Sequence, residues 1–238
     1  MSDTSEGGAL RIDDAAVVWS VGHAERSERL ADQPLVVVMH GRGSHENDLA
    51  QLLPGLPADA VYAFLRAPLI GEPYGIGGWT WFPPEAVPGP SQTAAARAVE
   101  AVLAWLDRVE HEFGAPPAIA AMGFSQGGAM SIQLLRTAPH RFAAAVDLSG
   151  VAALGDAPGD AALAAHPAPL FWGRDENDPV IAAAGIERSE TVLPALFQVT
   201  ARLYPGIAHS ISPEELADVS AFLRHVLPLD AGDRVPAE

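Results

Sequence analysis

One short stretch limits the fold of this chain more than any other: Ala118-Ile-Ala-Ala-Met-Gly-Phe-Ser-Gln-Gly-Gly128. An apolar run of strand length ends in Gly123-Phe124-Ser125-Gln126-Gly127, and a helical pattern follows from Gln126 to Arg136. A strand that turns at once into a helix strains the backbone of the residue at the corner. It also crowds the residues two before and two after, so glycine belongs at both. Such a corner lifts the Ser125 hydroxyl clear of the sheet and aims the Gln126 N–H at an incoming carbonyl oxygen. The bland alternative is a glycine-rich turn without chemistry; the strand and helix patterns on its two flanks favour the nucleophile.

Around this corner, strand-like and helix-like segments alternate. Ala15–Val21, Leu35–Met39 and Val61–Leu65 read as strands, the second an unbroken apolar run typical of a buried sheet. A short helix is expected around Asp48–Leu53, and a Pro/Gly/Trp-rich loop runs from Ala67 to Pro90. Ser91 caps a helix reaching Phe113, with Ala98, Val102, Trp105, Val109 and Phe113 on one face. Further strands are expected at Ala143–Leu148, Leu170–Trp172 and Ala201–Tyr204, with a helix over Ile186–Gln198. Ser212-Pro213-Glu214-Glu215 forms a capping box for a last helix ending at Pro228. This alternation predicts a mainly parallel, doubly wound α/β sheet covered by helices on both faces. The expectation is one domain over residues 9–229, with flexible tails at 1–8 and 230–238. About 20 residues separate Leu148 from Leu170, too few for an independent helical lid, so the site is expected to be open.

A serine hydroxyl needs a base, and the base needs a group to orient it. In this architecture the chain order is serine, acid, histidine. His209 and His225 alone among the histidines lie in the last quarter of the chain. His225 falls inside the final helix off its apolar stripe, whereas His209 sits in the loop Gly206-Ile-Ala-His-Ser, after the last strand. The acid lies between Ser125 and His209. Asp156 and Asp160 belong to a segment that reads as a solvated linker, and Asp147 is an outside alternative at a strand end. Between Asp175 and Asp178, the second is preferred: Pro179 fixes the backbone after it and Val180-Ile181 would anchor the loop. Asp175 reads instead as a cap or a partner of Arg174. A second oxyanion N–H is expected from Arg42, in the turn His40-Gly41-Arg42-Gly43, to act beside that of Gln126. His40 reads as a brace for that turn. Ile76, Trp79, Trp81 and Phe82 would form an apolar substrate pocket, with packed loop aromatics as the competing reading.

Composition narrows the chemistry. With no cysteine and no lysine among 238 residues, disulfides, thiol nucleophiles, Schiff bases and a Walker-type phosphate loop are excluded. No cofactor and no metal are expected. A formal charge of −16 argues against nucleic acid and anionic surfaces as partners. No run of about 18 uninterrupted apolar residues suggests insertion into a membrane. The polar, acidic N-terminal residues lack a signal-peptide pattern, so a cytoplasmic location is the expectation. The partner expected is a small-molecule ester; a homodimer is left open.

Five pieces carry a resemblance: His40-Gly-Arg-Gly, Trp79-Thr-Trp-Phe82, Gly123-Phe-Ser-Gln-Gly-Gly128, Asp178-Pro-Val-Ile and Ala208-His-Ser. In this order they resemble the phospholipase/carboxylesterase family of α/β-hydrolases, the group of acyl-protein thioesterases and small bacterial carboxylesterases. The resemblance implies Ser125, Asp178 and His209 as a triad, with Arg42 and Gln126 as oxyanion donors. It implies a serine carboxylesterase acting through an acyl-enzyme on small to medium esters, with thioesters as an extension. Lactone, peptide or peracid chemistry on the same triad, and a ligand-binding protein without catalysis, are the alternatives.

Overall fold

Every residue of the apolar run Leu35–Met39 is buried, as expected of a strand covered on both faces. The computed structural model describes residues 8–84 and 90–229 of the chain, and the expected tails, Gly8 apart, lie outside them. In chain order its strands are β1 Val18–Trp19, β2 Leu35–Met39, β3 Val61–Leu65, β4 Leu69–Ile70, β5 Trp79–Thr80, β6 Ile119–Phe124, β7 Ala144–Leu148, β8 Ala168–Arg174 and β9 Phe197–Leu203. Its helices are α1 Arg26–Asp32, α2 Gln92–Phe113, α3 Gln126–Thr137, α4 Asp160–Ala165, α5 Ala183–Leu196 and α6 Pro213–Val226. Seven strands form one sheet in the order β1-β3-β2-β6-β7-β8-β9. Only β1 runs antiparallel to its neighbour, while β4 and β5 form a separate small hairpin.

Alternation along the strands divides the core in two. Val37, Met39, Ala63, Leu65 and Ala121 face one layer, where they meet Leu30 of α1, Trp105 of α2, Met130 of α3 and Leu193 of α5. Val36, Val38, Tyr62, Phe64 and Met122 face the other, under Val219 and Leu223 of α6. With both faces covered, the carboxyl ends of the parallel strands are left to carry loops, the usual site of chemistry in such sheets.

Several boundaries differ from the sequence expectation. The first strand is two residues long, because Asp14–Ala16 forms a 3-10 turn capped by Asp13. The expected helix at Asp48–Leu53 is a 3-10 helix over Leu49–Gly55. α5 ends at Leu196, and β9 starts at the next residue and pairs Phe197 with Ala168. The strand therefore begins before Ala201. Pro194, which has no N–H to give, stands in the last turn of α5, and Val199 and Thr200 suit a strand better than a helix. Between β7 and β8 lies only the six-residue α4, and no lid is built there. Asp160 is not a solvated linker residue: its carboxylate takes Nε and Nη2 of the buried Arg136 at 2.8 and 2.6 Å. Among the described residues no helix is long and apolar enough to cross a membrane.

Candidate active site

Ser125 stands at the corner between β6 and α3 with φ 55° and ψ −114°, a backbone conformation that L side chains rarely adopt. Glycines make the corner possible. A Cβ on Gly123 would collide with the Gly127 carbonyl, and one on Gly127 with the Met39 carbonyl of β2. The strained residue is tied down by its own N–H, which donates to Leu148 O at the end of β7 at 2.7 Å.

His209 reaches the serine from the loop between β9 and α6. Its Nε2 lies 2.9 Å from Ser125 Oγ, and its Nδ1 lies 2.7 Å from Asp178 Oδ2. Phe124, the residue before the serine, packs its ring 4.8 Å from the imidazole, centroid to centroid. The Asp178 side chain is fully buried, whereas the His209 side chain keeps 16% exposure toward the cleft. The other carboxylate oxygen of Asp178 accepts the N–H groups of Val180 and Ile181 at 2.8 and 3.2 Å. The residues after Pro179 thus hold the acid loop through their backbone.

The remaining acids are placed elsewhere. Asp147 is fully buried with Oδ1 on the Gly150 N–H at 2.8 Å, and burial pushes its pKa well up. His225 is exposed on α6. Asp175 does not pair its carboxylate with Arg174, whose guanidinium donates to the Asp175 backbone carbonyl and to Glu190. That carboxylate instead accepts backbone N–H groups of Asn177 and Ala208.

Gln126 and Arg42 line the cleft with Ser125, and each carries an N–H group to account for. Gln126 opens α3, so its N–H has no acceptor within the helix. Arg42 lies in the turn after β2, and its N–H has no protein acceptor among the described residues. The turn is braced by the buried His40, whose Nε2 accepts the Ala67 N–H at 3.1 Å. Its Nδ1 must then carry the proton that is donated to Gly41 O at 2.7 Å, and burial lowers the ring's pKa. The Gln126 side chain has a second task. Its Oε1 accepts the Trp81 N–H at 2.9 Å and its Nε2 donates to Phe82 O at 2.9 Å, clamping the loop to the corner.

A cleft of roughly 260 Å³ opens beside Ser125, Arg42 and Gln126. Phe82, Pro83, Pro84 and Pro90 line it together with Val151 and Ile181, and Ala129, Gly150 and Gly185 give it depth. Of the four pocket residues expected from sequence, only Phe82 is among the lining residues. Trp81 is fully buried and donates its indole N–H to His40 O at 2.9 Å, so it belongs to the core. Trp79 lies under the Arg66 guanidinium, 4.8 Å from it, and Ile76 packs over Gly71. The wall supplied by Val151, Val180–Ala182 and Gly185 was not anticipated; its only sequence signal was the apolar pair after Asp178.

This sheet, with a strained serine at the corner between its central strand and the helix behind it, defines an α/β-hydrolase. The profile of the phospholipase/carboxylesterase family matches residues 24–227, nearly all of the described domain, and the chain belongs to that family of serine hydrolases. It is similar to an acyl-protein thioesterase 1 of Gibberella zeae, 35% identical over 117 residues that cover 48% of this chain and 50% of that protein. It is also similar to a probable carboxylesterase of Oryza sativa subsp. japonica, 30% identical over 156 residues, 62% of this chain and 58% of the relative. These matches span about half the length of the curated relatives. Among solved structures, esterase PE8 shares 28% identity at a TM-score of 0.67, covering 83% of this chain and 94% of that one. The Bacillus cereus carboxylesterase shares the fold at a TM-score of 0.71 and 19% identity, covering 88% of this chain and 93% of that one.

Proposed function

We propose that the chain is a serine esterase in which Ser125 is the nucleophile, His209 the general base and Asp178 the residue that orients it. The observation that carries this reading is the single imidazole bridging Ser125 Oγ at 2.9 Å and Asp178 Oδ2 at 2.7 Å. Ser125 Oγ attacks the ester carbonyl carbon while its proton passes to His209 Nε2. The N–H groups of Arg42 and Gln126 receive the oxyanion that forms. As the tetrahedral species collapses, the imidazolium gives its proton to the departing alkoxide. Water then attacks the acyl-enzyme by the same route, releasing the carboxylic acid and restoring Ser125.

The substrates are carboxylic esters of small to medium size. A cleft of roughly 260 Å³ with mainly apolar walls accommodates a short acyl or alcohol group. A thioester passes through the same steps with a thiolate leaving group, and the similarity to the Gibberella zeae acyl-protein thioesterase 1 supports that extension. Among the described residues no lid separates the cleft from solvent, so soluble esters are turned over without a lipid surface.

A fluorophosphonate probe tests the proposal directly. It should add its mass to Ser125 alone, and Ser125→Ala should lower kcat on p-nitrophenyl butyrate by roughly 10⁴-fold or more. Labelling elsewhere would displace Ser125 from its role. No labelling, with no esterase turnover by the wild type, would leave a ligand-binding protein on the hydrolase scaffold.

A further inference from the structure

The loop that carries His209 needs a restraint of its own. Ala208, the residue before it, has φ 54°, in the left-handed region where a Cβ costs about 1–2 kcal/mol. No glycine relieves this position, so something outside the loop must hold it.

That something is a carboxylate. Asp175 follows the last residue of β8 and is 2% exposed. Its Oδ2 accepts the N–H of Ala208 at 2.6 Å, across 33 residues of sequence. Its Oδ1 accepts the N–H of Asn177 at 2.8 Å, closing the turn that leads to Asp178. One side chain therefore ties the acid loop to the histidine loop, on the strained residue beside the imidazole. Resting on the triad reading above, we propose that Asp175 is a second carboxylate of the catalytic apparatus, a positioning residue that keeps His209 aligned between Ser125 and Asp178.

The charge matters as well as the shape. The N–H of Asn177, then that of Ala208, with those of Gly206 and Ile207 adding to the field, hold the carboxyl below its ordinary range, so the group is an anion. An anion offers an acceptor to donors on both sides. An asparagine offers one oxygen, and its NH₂ would face the other N–H, leaving one loop unheld and repelled. The near-attack alignment of an imidazole is sensitive to displacements of the order of an ångström. Division of labour follows: Asp178 fixes the ring, and Asp175 fixes the backbone on which the ring is mounted.

Asp175→Asn separates this role from mere support of the fold. Active sites are first counted by the endpoint of fluorophosphonate labelling, so that unfolded protein does not enter the rates. Per labelled site, kcat on p-nitrophenyl butyrate and the rate constant of labelling should both fall by roughly 10- to 100-fold, with KM within about threefold. Adding Ala208→Gly should recover at least about threefold of the loss, because glycine tolerates the left-handed conformation without restraint. If Asp175→Asn does not yield folded protein, Asp175→Glu, which keeps the charge and shifts it by one methylene, should show a smaller loss of the same kind. A melting temperature that drops while kcat per site stays within threefold of wild type would overturn the proposal, as would the absence of any recovery in the double variant. Failure of wild-type Ser125 to label would instead overturn the triad reading, so the two failures are distinct.

Discussion

The imidazole of His209 touches one acid, and that contact makes a sharp prediction. Asp178→Asn keeps the side-chain volume and can still accept the Val180 and Ile181 N–H groups through one oxygen. It then turns an amide toward Nδ1 and favours the wrong tautomer for a base at Nε2. Steady-state kinetics should give a kcat lower by on the order of 10³- to 10⁴-fold with KM nearly unchanged; a loss under tenfold would remove Asp178 from the role. That Ser125, His209 and Asp178 meet in one candidate site was legible because each position follows from a local rule: glycines around a corner, a histidine after the last strand, a proline fixing an acid loop. Trp79, Trp81 and Ile76 were not. An aromatic cluster in a loop reads alike as wall or as core; for Trp81 its complete burial and the indole bond to His40 O decide for the core. The part played by Asp175 left no side-chain signature, since its partners are backbone N–H groups, one of them 33 residues away.

At the scale of elements, strands and helices whose signals lie within one segment were read well, and those decided by neighbours were not. β2, β3 and α2 begin and end where apolar runs, Ser91 and Gly114 put them. The seven-residue α1 buries only Leu30, too little periodicity to notice, and the join of α5 to β9 is set by pairing with β8. α5 also shapes the cleft. Gly185, in its first turn, lines the cavity, and a Cβ there would stand 3.2 Å from Val151 Cγ1. Gly185→Val should fill space that about two methylenes of a longer ester would occupy, at about 0.8 kcal/mol each. A loss of about 1.6 kcal/mol is roughly 15-fold. The ratio of kcat/KM for p-nitrophenyl octanoate over acetate should fall by about that factor, and an unchanged ratio would place the chain-binding region elsewhere.

The stability of the whole molecule is expected to respond to pH through two buried acids, Glu215 and Asp147. Glu215 on α6 is fully buried beneath Gly173, and neither carboxyl oxygen has a hydrogen-bond partner among the described residues. Its own N–H donates to Ser212 Oγ at 3.0 Å, so the expected capping box closes on one side. The return contact to the Ser212 N–H falls short of hydrogen-bond geometry. Burial, with Asp218 as a lesser cause, pushes the carboxyl to about 7, and the buried Asp147 is displaced in the same direction. A carboxyl with a raised pKa binds its proton more tightly in the folded chain than in the unfolded one. Its contribution to stability is therefore complete below the ordinary glutamate range and is lost as pH rises through about 7. For Glu215 the swing is at most on the order of 3 kcal/mol. The formal charge of −16 adds self-repulsion over the same window, so both effects favour the mildly acidic side. Urea midpoints should accordingly fall between pH 5 and pH 8, the opposite of a protein held by exposed carboxylate pairs. Glu215→Gln, neutral throughout, should match wild type near pH 5 within the cost of its amide and exceed it at pH 8. Midpoint curves for the two proteins that run parallel from pH 5 to 8 would show that Glu215 keeps an ordinary pKa and that the slope comes from elsewhere.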